Sequence, residues 1–515
     1  MSLDPLPPSA WTRRTADHLL SRTSFGGTPA QREALFQLGK TQGIAAAVSS
    51  IIDQAVDWSA FPLPTLPPPS DLLESNDRLE AAYDLTEWFL LQMKDGPALA
   101  AKMLKFWLDH FPVDLDVIEA QAGFIYFYKH LDVLRTLALG NFGLLLREVS
   151  WSEGMIRMLD LDRSRRGQIN ENFGRELLEL FTLGVDGGYT EQDVTHCAEA
   201  FTGRSLSETE PFSAYLDELV RGDGEYRRID PTEKTFLTTE DPANPGIPVP
   251  GTLTAIKDPA DQLPGDPKDQ GDMAIALILE QVQCAEHLGK KIWRYFVGVD
   301  PEASLMAELG RQLRDHDYEI APLLRTIFQS EEFYDEAAIG NQIKDPVDIV
   351  ISIVKVLEMP LLPRATTYWA MDEMGQNLLH PPTIQGWPEP VAEGNRWMTV
   401  EGLLSRINLA SLWVHGDHQA LRNHLKIPTT GVDAETPYVL PDYETLLPAA
   451  IRGADSLNLL IDHLADRVLY LSPIHPRQRQ SLIRHMRRKL KGLDRDKVYR
   501  RVLQQLLALP QFQMQ

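Results

Sequence analysis

Only two cysteines, Cys197 and Cys284, occur in the 515 residues, and neither sits in CxxC or CxxH spacing. This excludes a disulfide framework and a cysteine-based zinc site, and it reads as two buried thiols. No apolar run approaches the ~20 residues that a membrane-crossing helix needs. The opening stretch, Met1 to Pro8, lacks the basic start, apolar segment and small-residue cleavage site of a secretory signal. Arg13 and Arg14 lead into Ala16-Asp17-His18, not into an export-type apolar segment. Cytoplasmic residence is the expectation. Basic residues are also short: 50 Lys and Arg face 73 Asp and Glu, a net charge of −23. That balance opposes general nucleic-acid binding. There is no Gly-x-Gly-x-x-Gly after a strand, no Walker-type Gly-Lys-Thr, no His-Glu-x-x-His and no Gly-x-Ser-x-Gly.

What is present is helical periodicity, with no sustained strand alternation. The expected fold is all-α: a large multi-helix array with a long irregular insertion rich in Pro, Gly and Asp. Helices are predicted near Trp11–Thr23, from Pro29 to Gly39, and near Ala45–Asp53. Thr28 and Gln31 form a capping box for the second, and Gly39 is read as its stop. After a proline-rich connector at 56–70, helices are predicted near Asp71–Lys94, Pro97–Phe111, Gln121–Leu137, Leu144–Ser150, Asn170–Leu183 and Thr190–Phe201. Residues 205–272 read as an irregular excursion with one hairpin, long enough to be a lid, a docking arm or mobile. Helices resume near Asp272–Phe296 and continue through Val400–His415. A polar connector covers about 425–448, and the rest is helical. The expected organisation is 1–204, an insertion at 205–272, a second helical half at 273–424, and 425–515. Within the last part, 477–501 is strongly basic, either a solvated face or a docking patch.

Two helices carry the candidate chemistry. In Asn170–Gly184, Asn170 reads as the cap, and Asn172, Arg175, Glu176 and Glu179 share one arc at 100° per residue. The rest of the circumference is apolar, so the stripe is expected to face a cleft, or else to be a solvated stripe with an Arg175–Glu179 pair. Glu176 and Glu179 could bind metal or divide acid and base roles. In the second helix, Leu99, Met103, Phe106 and His110 form an apolar stripe, with Lys102, Lys105 and Asp109 on another face. If that stripe packs on the first helix, His110 meets Glu176 or Glu179, and the three become metal ligands; otherwise His110 is a core residue. His18 and Arg22, at i and i+4, read as an anion-facing or surface pair. Gly386-Trp387-Pro388 reads as a rigid loop presenting an aromatic wall.

These stretches, in order, resemble the large bacterial family called domain of unknown function 1800. The resemblance rests on His18 to Pro29, Lys102-Met-Leu-Lys-Phe-Trp-Leu-Asp-His-Phe111, Ala138 to Phe142, Asn170 to Gly184, Tyr189 to Asp193 and Ala200 to Gly203. It continues in Lys290-Lys-Ile-Trp-Arg-Tyr-Phe296, Lys344-Asp-Pro-Val347, Gly375-Gln376, Pro381-Pro382 and Gly386-Trp-Pro388. It implies an all-helical fold and no established reaction. The family pattern Phe-Trp-His-x-His-Phe is broken here, with Leu108 in place of its first His while His110 keeps the second. A His expected before Lys234-Thr235-Phe236 is also absent. By analogy with the family, an alkaline-phosphatase-like or sulfatase-like protein is the expected partner.

Two readings follow. One is an enzyme, hydrolytic or group-transferring, with Glu176, Glu179 and His110 as catalytic or divalent-metal groups. Asn172, Arg175, Trp387, His18 and Arg22 would then contact substrate, under a lid at 205–272. The other is a non-catalytic scaffold whose polar residues form a buried structural network.

Overall fold

A computed structural model describes the chain apart from residues 1–2, 55–59, 67–74, 119–120, 208–212, 217–227, 231, 242–243, 255–268, 389–396, 417, 428–440, 453–455 and 490–493. Part of the proline-rich connector, Pro264-Gly-Asp-Pro267, most of the second connector and Lys491 therefore lie outside the described residues. Helices dominate, and the described strands form two small two-stranded sheets. No described helix is long and apolar enough to cross a membrane. Both cysteines are free and buried.

Local chemistry places most helices where periodicity predicts them. The Thr28 hydroxyl and the Gln31 side chain close the expected capping box. That helix, Pro29–Gln42, runs past Gly39 and ends at Gly43, whose φ of +94° suits glycine. Gly39 has a packing role: a Cβ there would lie 2.4 Å from the Trp11 indole. Val400–His415 has the predicted bounds, capped by Thr399 and closed by Gly416. The single helix predicted over 272–296 is two, Gln270–Glu280 and Val282–Val297, parted by an extended Gln281.

The insertion holds more strand than expected. Arg204–Leu206 (β1) pairs antiparallel with Ala214–Leu216 (β2), and Lys234–Asp241 (β3) with Asn244–Leu253 (β4). Strand β3 packs on helices Glu191–Ala200 and Gln270–Glu280, with Phe236 buried between layers.

Five helices position the site. They are Arg13–Ser24 (α1), Ala98–His110 (α2), Asn172–Glu176 with its continuation to Thr182 (α3), Val282–Val297 (α4) and Pro346–Val356 (α5). Helix α2 is central. It packs on α1, Ser75–Asp95 and Gln121–Thr136, and it is buried even at Lys102 and Lys105. A helix apolar on most sides belongs in a core; two lysines inside one need partners.

Candidate functional site

His110 lies in the core, where α2 meets α3. Its Nε2–H donates to the Phe181 carbonyl at 3.0 Å, and its ring stacks on Phe106 and meets Phe111 edge-on. Burial, with Lys291 and His287 nearby, holds its pKa well below the usual histidine value, so it is neutral. The carbonyl is available because Phe181 lies in the last turn of α3, where carbonyls have no intrahelical partner; from Leu177 to Thr182 the bonds span five residues, as in Leu183 N–H to Leu178 O at 2.9 Å. A second, half-buried histidine, His287 on α4, bonds the adjacent Leu180 carbonyl. Two imidazoles thus satisfy the backbone of one π turn, and His110 is not joined to Glu176 or Glu179.

Asn172, Arg175, Glu176 and Glu179 lie on the less buried side of α3, and the Arg175–Glu179 pair of the solvated-stripe reading is present. Arg175 anchors a partly exposed network there. It bonds Glu179 at 3.2 Å and Glu191 at 2.8 Å, with Glu171 at 3.6 Å. The first helical residue is Asn172, whose N–H donates to Asn170 Oδ1 at 3.0 Å; Asn170 makes a turn one step before the helix rather than capping it. The Glu176 carboxyl is pushed up by partial burial and then by Glu179.

His18 and Arg22 are fully buried on α1, not at the surface. His18 Nε2–H donates to Phe333 O at 2.9 Å, and Arg22 donates to Ala338 O at 2.8 Å and to Asn341. Both hold α1 against 333–341. Neither lines the basic cleft formed by α2, α4 and α5.

That cleft opens elsewhere, on the other face of α2; its space for water-sized molecules is about 50 Å³, within about 710 Å³ of empty volume that includes open solvent. Lys102, Lys105 and Asp109 come from α2; Lys291, Arg294 and Tyr295 from α4; Asp345 and Asp348 from the start of α5. Gln342, Gln376 and Gln515 add amides, and Phe106, Trp387, Pro388 and Trp397 add apolar walls. Trp387 lines this cleft, which does not include His110, Glu176 or Glu179. Its N–H donates to Asp109 Oδ1 at 2.7 Å. Gly386 lets the loop come this close: its φ is +80°, and a Cβ would lie 2.2 Å from that carboxylate oxygen.

The cleft floor is a charged network in the core. Lys102 Nζ lies 3.0 Å from Asp348 Oδ1; Lys105 Nζ lies 3.3 Å from the same oxygen and also pairs with Asp345. Asp345 caps α5 through the Asp348 N–H at 2.9 Å, and Gln515 Nε2 donates to Asp348 Oδ2 at 2.6 Å. Burial raises the Asp348 pKa, but Lys102 and Lys105 outweigh it and keep the carboxylate ionised. Burial pulls Lys102 down to about 8, although Asp348 supports its charge. Behind the floor, Lys344 is drawn down to about 7, Arg406 to about 10 and Arg22 to about 9, all mainly by burial. Five buried cations (Arg22, Lys102, Lys105, Lys344, Arg406) therefore share two buried carboxylates, Asp345 and Asp348, in a chain whose net charge is −23. The N-terminus of α5 adds positive potential.

A family model described as protein of unknown function (DUF1800) matches residues 18–514. The chain belongs to this family. No curated protein and no solved structure matches it. In this DUF1800 chain, five of the stretches that carry the resemblance meet at the cleft from distant positions, while Asn170 to Gly184 does not reach it. Lys102 to Phe111, Lys290 to Phe296, Lys344 to Val347, Gln376 and Gly386 to Pro388 all contribute lining residues. The α2 lysines were legible as a separate polar face; their pairing with α5 was not, because Lys102 and Asp348 stand 246 residues apart. No described residue of 205–272 lines the cleft, so the expected lid is not among its walls. Neither the cleft nor the two other large cavities has His110, Glu176 or Glu179 in its lining.

Proposed function

We propose that this DUF1800 protein binds and turns over an anionic small molecule in the Lys102–Trp387 cleft, by hydrolysis or group transfer. Lys102 gives and takes the proton. One observation carries this reading: Lys102, Lys105, Lys291 and Arg294 line the cleft against Asp109, Asp345 and Asp348, and three more buried cations, Arg22, Lys344 and Arg406, stand behind its floor. Uncompensated buried charge is costly, and an anionic ligand supplies the compensation. A lysine drawn toward neutral pH inside a cleft is the kind of group that serves acid–base chemistry. The aromatic walls suit a ligand with a ring or apolar body behind its anionic head. A sulfate or phosphate ester fits both, and such chemistry is consistent with a sulfatase- or phosphatase-like partner. The bacterial cytoplasm as location and the basic 477–501 segment as docking patch belong to the same proposal.

The rival reading is a non-catalytic scaffold. It is favoured by the way Lys102, Lys105, Asp345, Asp348 and Gln515 satisfy one another without a ligand. Calorimetry with phosphate, sulfate and their aryl esters separates the two. The enzyme reading expects saturable binding, weakened about tenfold by Lys291→Ala or Arg294→Ala at the mouth, as for the loss of about 1.4 kcal/mol. It also expects slow release of inorganic anion from the ester. Absence of binding by every anion in the series would remove the enzyme reading and leave the scaffold.

A further inference from the structure

We infer that Asp114, Asp116 and His380 form a divalent-cation site beside a second cavity, independent of the basic cleft. The residues come from two loops. Asp114 and Asp116 follow α2, in a turn where the Asp116 N–H donates to Asp114 Oδ1 at 3.0 Å. His380 precedes Pro381-Pro382 in the loop that leads to Gly386. The Leu115 N–H donates to Leu379 O at 3.1 Å and ties the loops together, while Asn377 bonds the Leu379 and His380 amides.

His380 Nδ1 then lies 3.0 Å from Asp114 Oδ1 and 3.4 Å from Asp116 Oδ2. Among the described residues this is the only group of three or more His, Cys, Asp or Glu side chains whose ligand atoms all lie within 4.8 Å of one another. Ligands at ~2.1 Å from one ion stand ~3.0 Å apart at an octahedral edge and ~3.4 Å apart at a tetrahedral one. The two His380–carboxylate separations fall in that range, and the Asp114–Asp116 ligand atoms lie within 4.8 Å of each other. The metal that His110, Glu176 and Glu179 were expected to hold is thus better served by a trio that periodicity cannot reveal.

Asp116 and His380 line a solvent-open cavity of about 1180 Å³, also lined by Arg78, Asp372 and Asn377, and Asp114 stands beside it. Asp114 and His380 are each about one-fifth exposed, and Asp116 is open. Three protein ligands, two of them on the cavity wall, leave coordination positions for water or an oxygen ligand, unlike the closed four-ligand structural site. One imidazole with two carboxylates suits Zn²⁺ or Mn²⁺ better than Mg²⁺ or Ca²⁺, which favour all-oxygen shells.

An imidazole N–H shared between two carboxylates produces the same spacing without any ion, so uptake decides. The full chain, stripped with chelator, is titrated with ZnCl₂ and with MnCl₂ by calorimetry. The expected result is one saturable equivalent for at least one ion and a melting temperature that rises with ion concentration. Asp116→Asn and His380→Ala should each weaken binding at least tenfold, and Glu179→Gln should leave it unchanged. Asp116 is exposed, so its variant keeps the fold. Absence of saturable uptake of both ions, or wild-type affinity in either site variant, overturns the proposal.

Discussion

The floor of the cleft and the stripe on α3 use the same chemistry in different surroundings. In each, a cation sits among carboxylates: Lys105 between Asp345 and Asp348, Arg175 among Glu171, Glu179 and Glu191. Lys105 and its partners are buried, whereas the Arg175 side chain is one-third exposed and Glu191 is open. Water screens the second set and makes each pair worth little. In the first set, every charge depends on its neighbours. A charged pattern in a sequence therefore says little about function until its burial is known.

The largest effect that would break this contrast is at Asp348. Asp348→Asn leaves Lys102 and Lys105 buried with one carboxylate, and should cost about 3–5 kcal/mol in urea unfolding. Glu179→Gln, the matching change on the stripe, should cost no more than about 1 kcal/mol. Equal losses would mean that the two networks do not differ as described. Gly386→Ala should come next. Strain at a positive φ and the clash with Asp109 should cost about 1–3 kcal/mol, with the Trp387 fluorescence altered because its amide loses Asp109.

His110→Leu tests whether the histidine is structural. It removes the donor for the Phe181 carbonyl and should cost about 1–3 kcal/mol, without changing the zinc or manganese uptake measured at His380. Loss of that uptake would join two regions that the structure keeps apart.

A subtler effect is in pH. The Lys102 ammonium, drawn down to about 8, loses its proton as pH rises through that value. Anion affinity should therefore fall between about pH 7 and 9, read by calorimetry. The stability contribution of the same group has the opposite sign. From about pH 8 to the ordinary lysine value of 10.5, the unfolded chain binds more protons, so Lys102 makes the ligand-free protein more stable as pH rises. Matching trends in binding and stability would reassign the titrating group. The smallest expected change is at Glu176: Glu176→Gln should alter stability by less than about 0.5 kcal/mol.

How much was legible follows from the range of each interaction. The capping box at Thr28 and the helix Val400–His415 use contacts within a few residues and were readable. The end of the helix at Gly43, the break at Gln281 and the first strand pair were not. Trp387 was readable as a wall because Gly and Pro beside it demand a rigid loop. Asn172, Arg175, Glu176 and Glu179 were grouped by helical period, and the Arg175–Glu179 pair was readable from it; the third partner, Glu191, was not, because it lies on another helix. His18 and Arg22 were taken for an anion-facing or surface pair because polar residues on a first helix usually are; partners in 333–341 bury them.

By itself, the sequence determined the helical class, the absence of a disulfide framework, the apolar character of α2 and the motifs that carry family membership. These depend on composition and on periods of a few residues. Only the tertiary structure decided which charges are buried, that His110 serves a backbone carbonyl, and that Lys102 meets Asp348 and Asp114 meets His380. Those pairs are separated by 246 and 266 residues. A period of 3.6 residues sets the face a side chain occupies, but the packing of distant helices sets what that face meets.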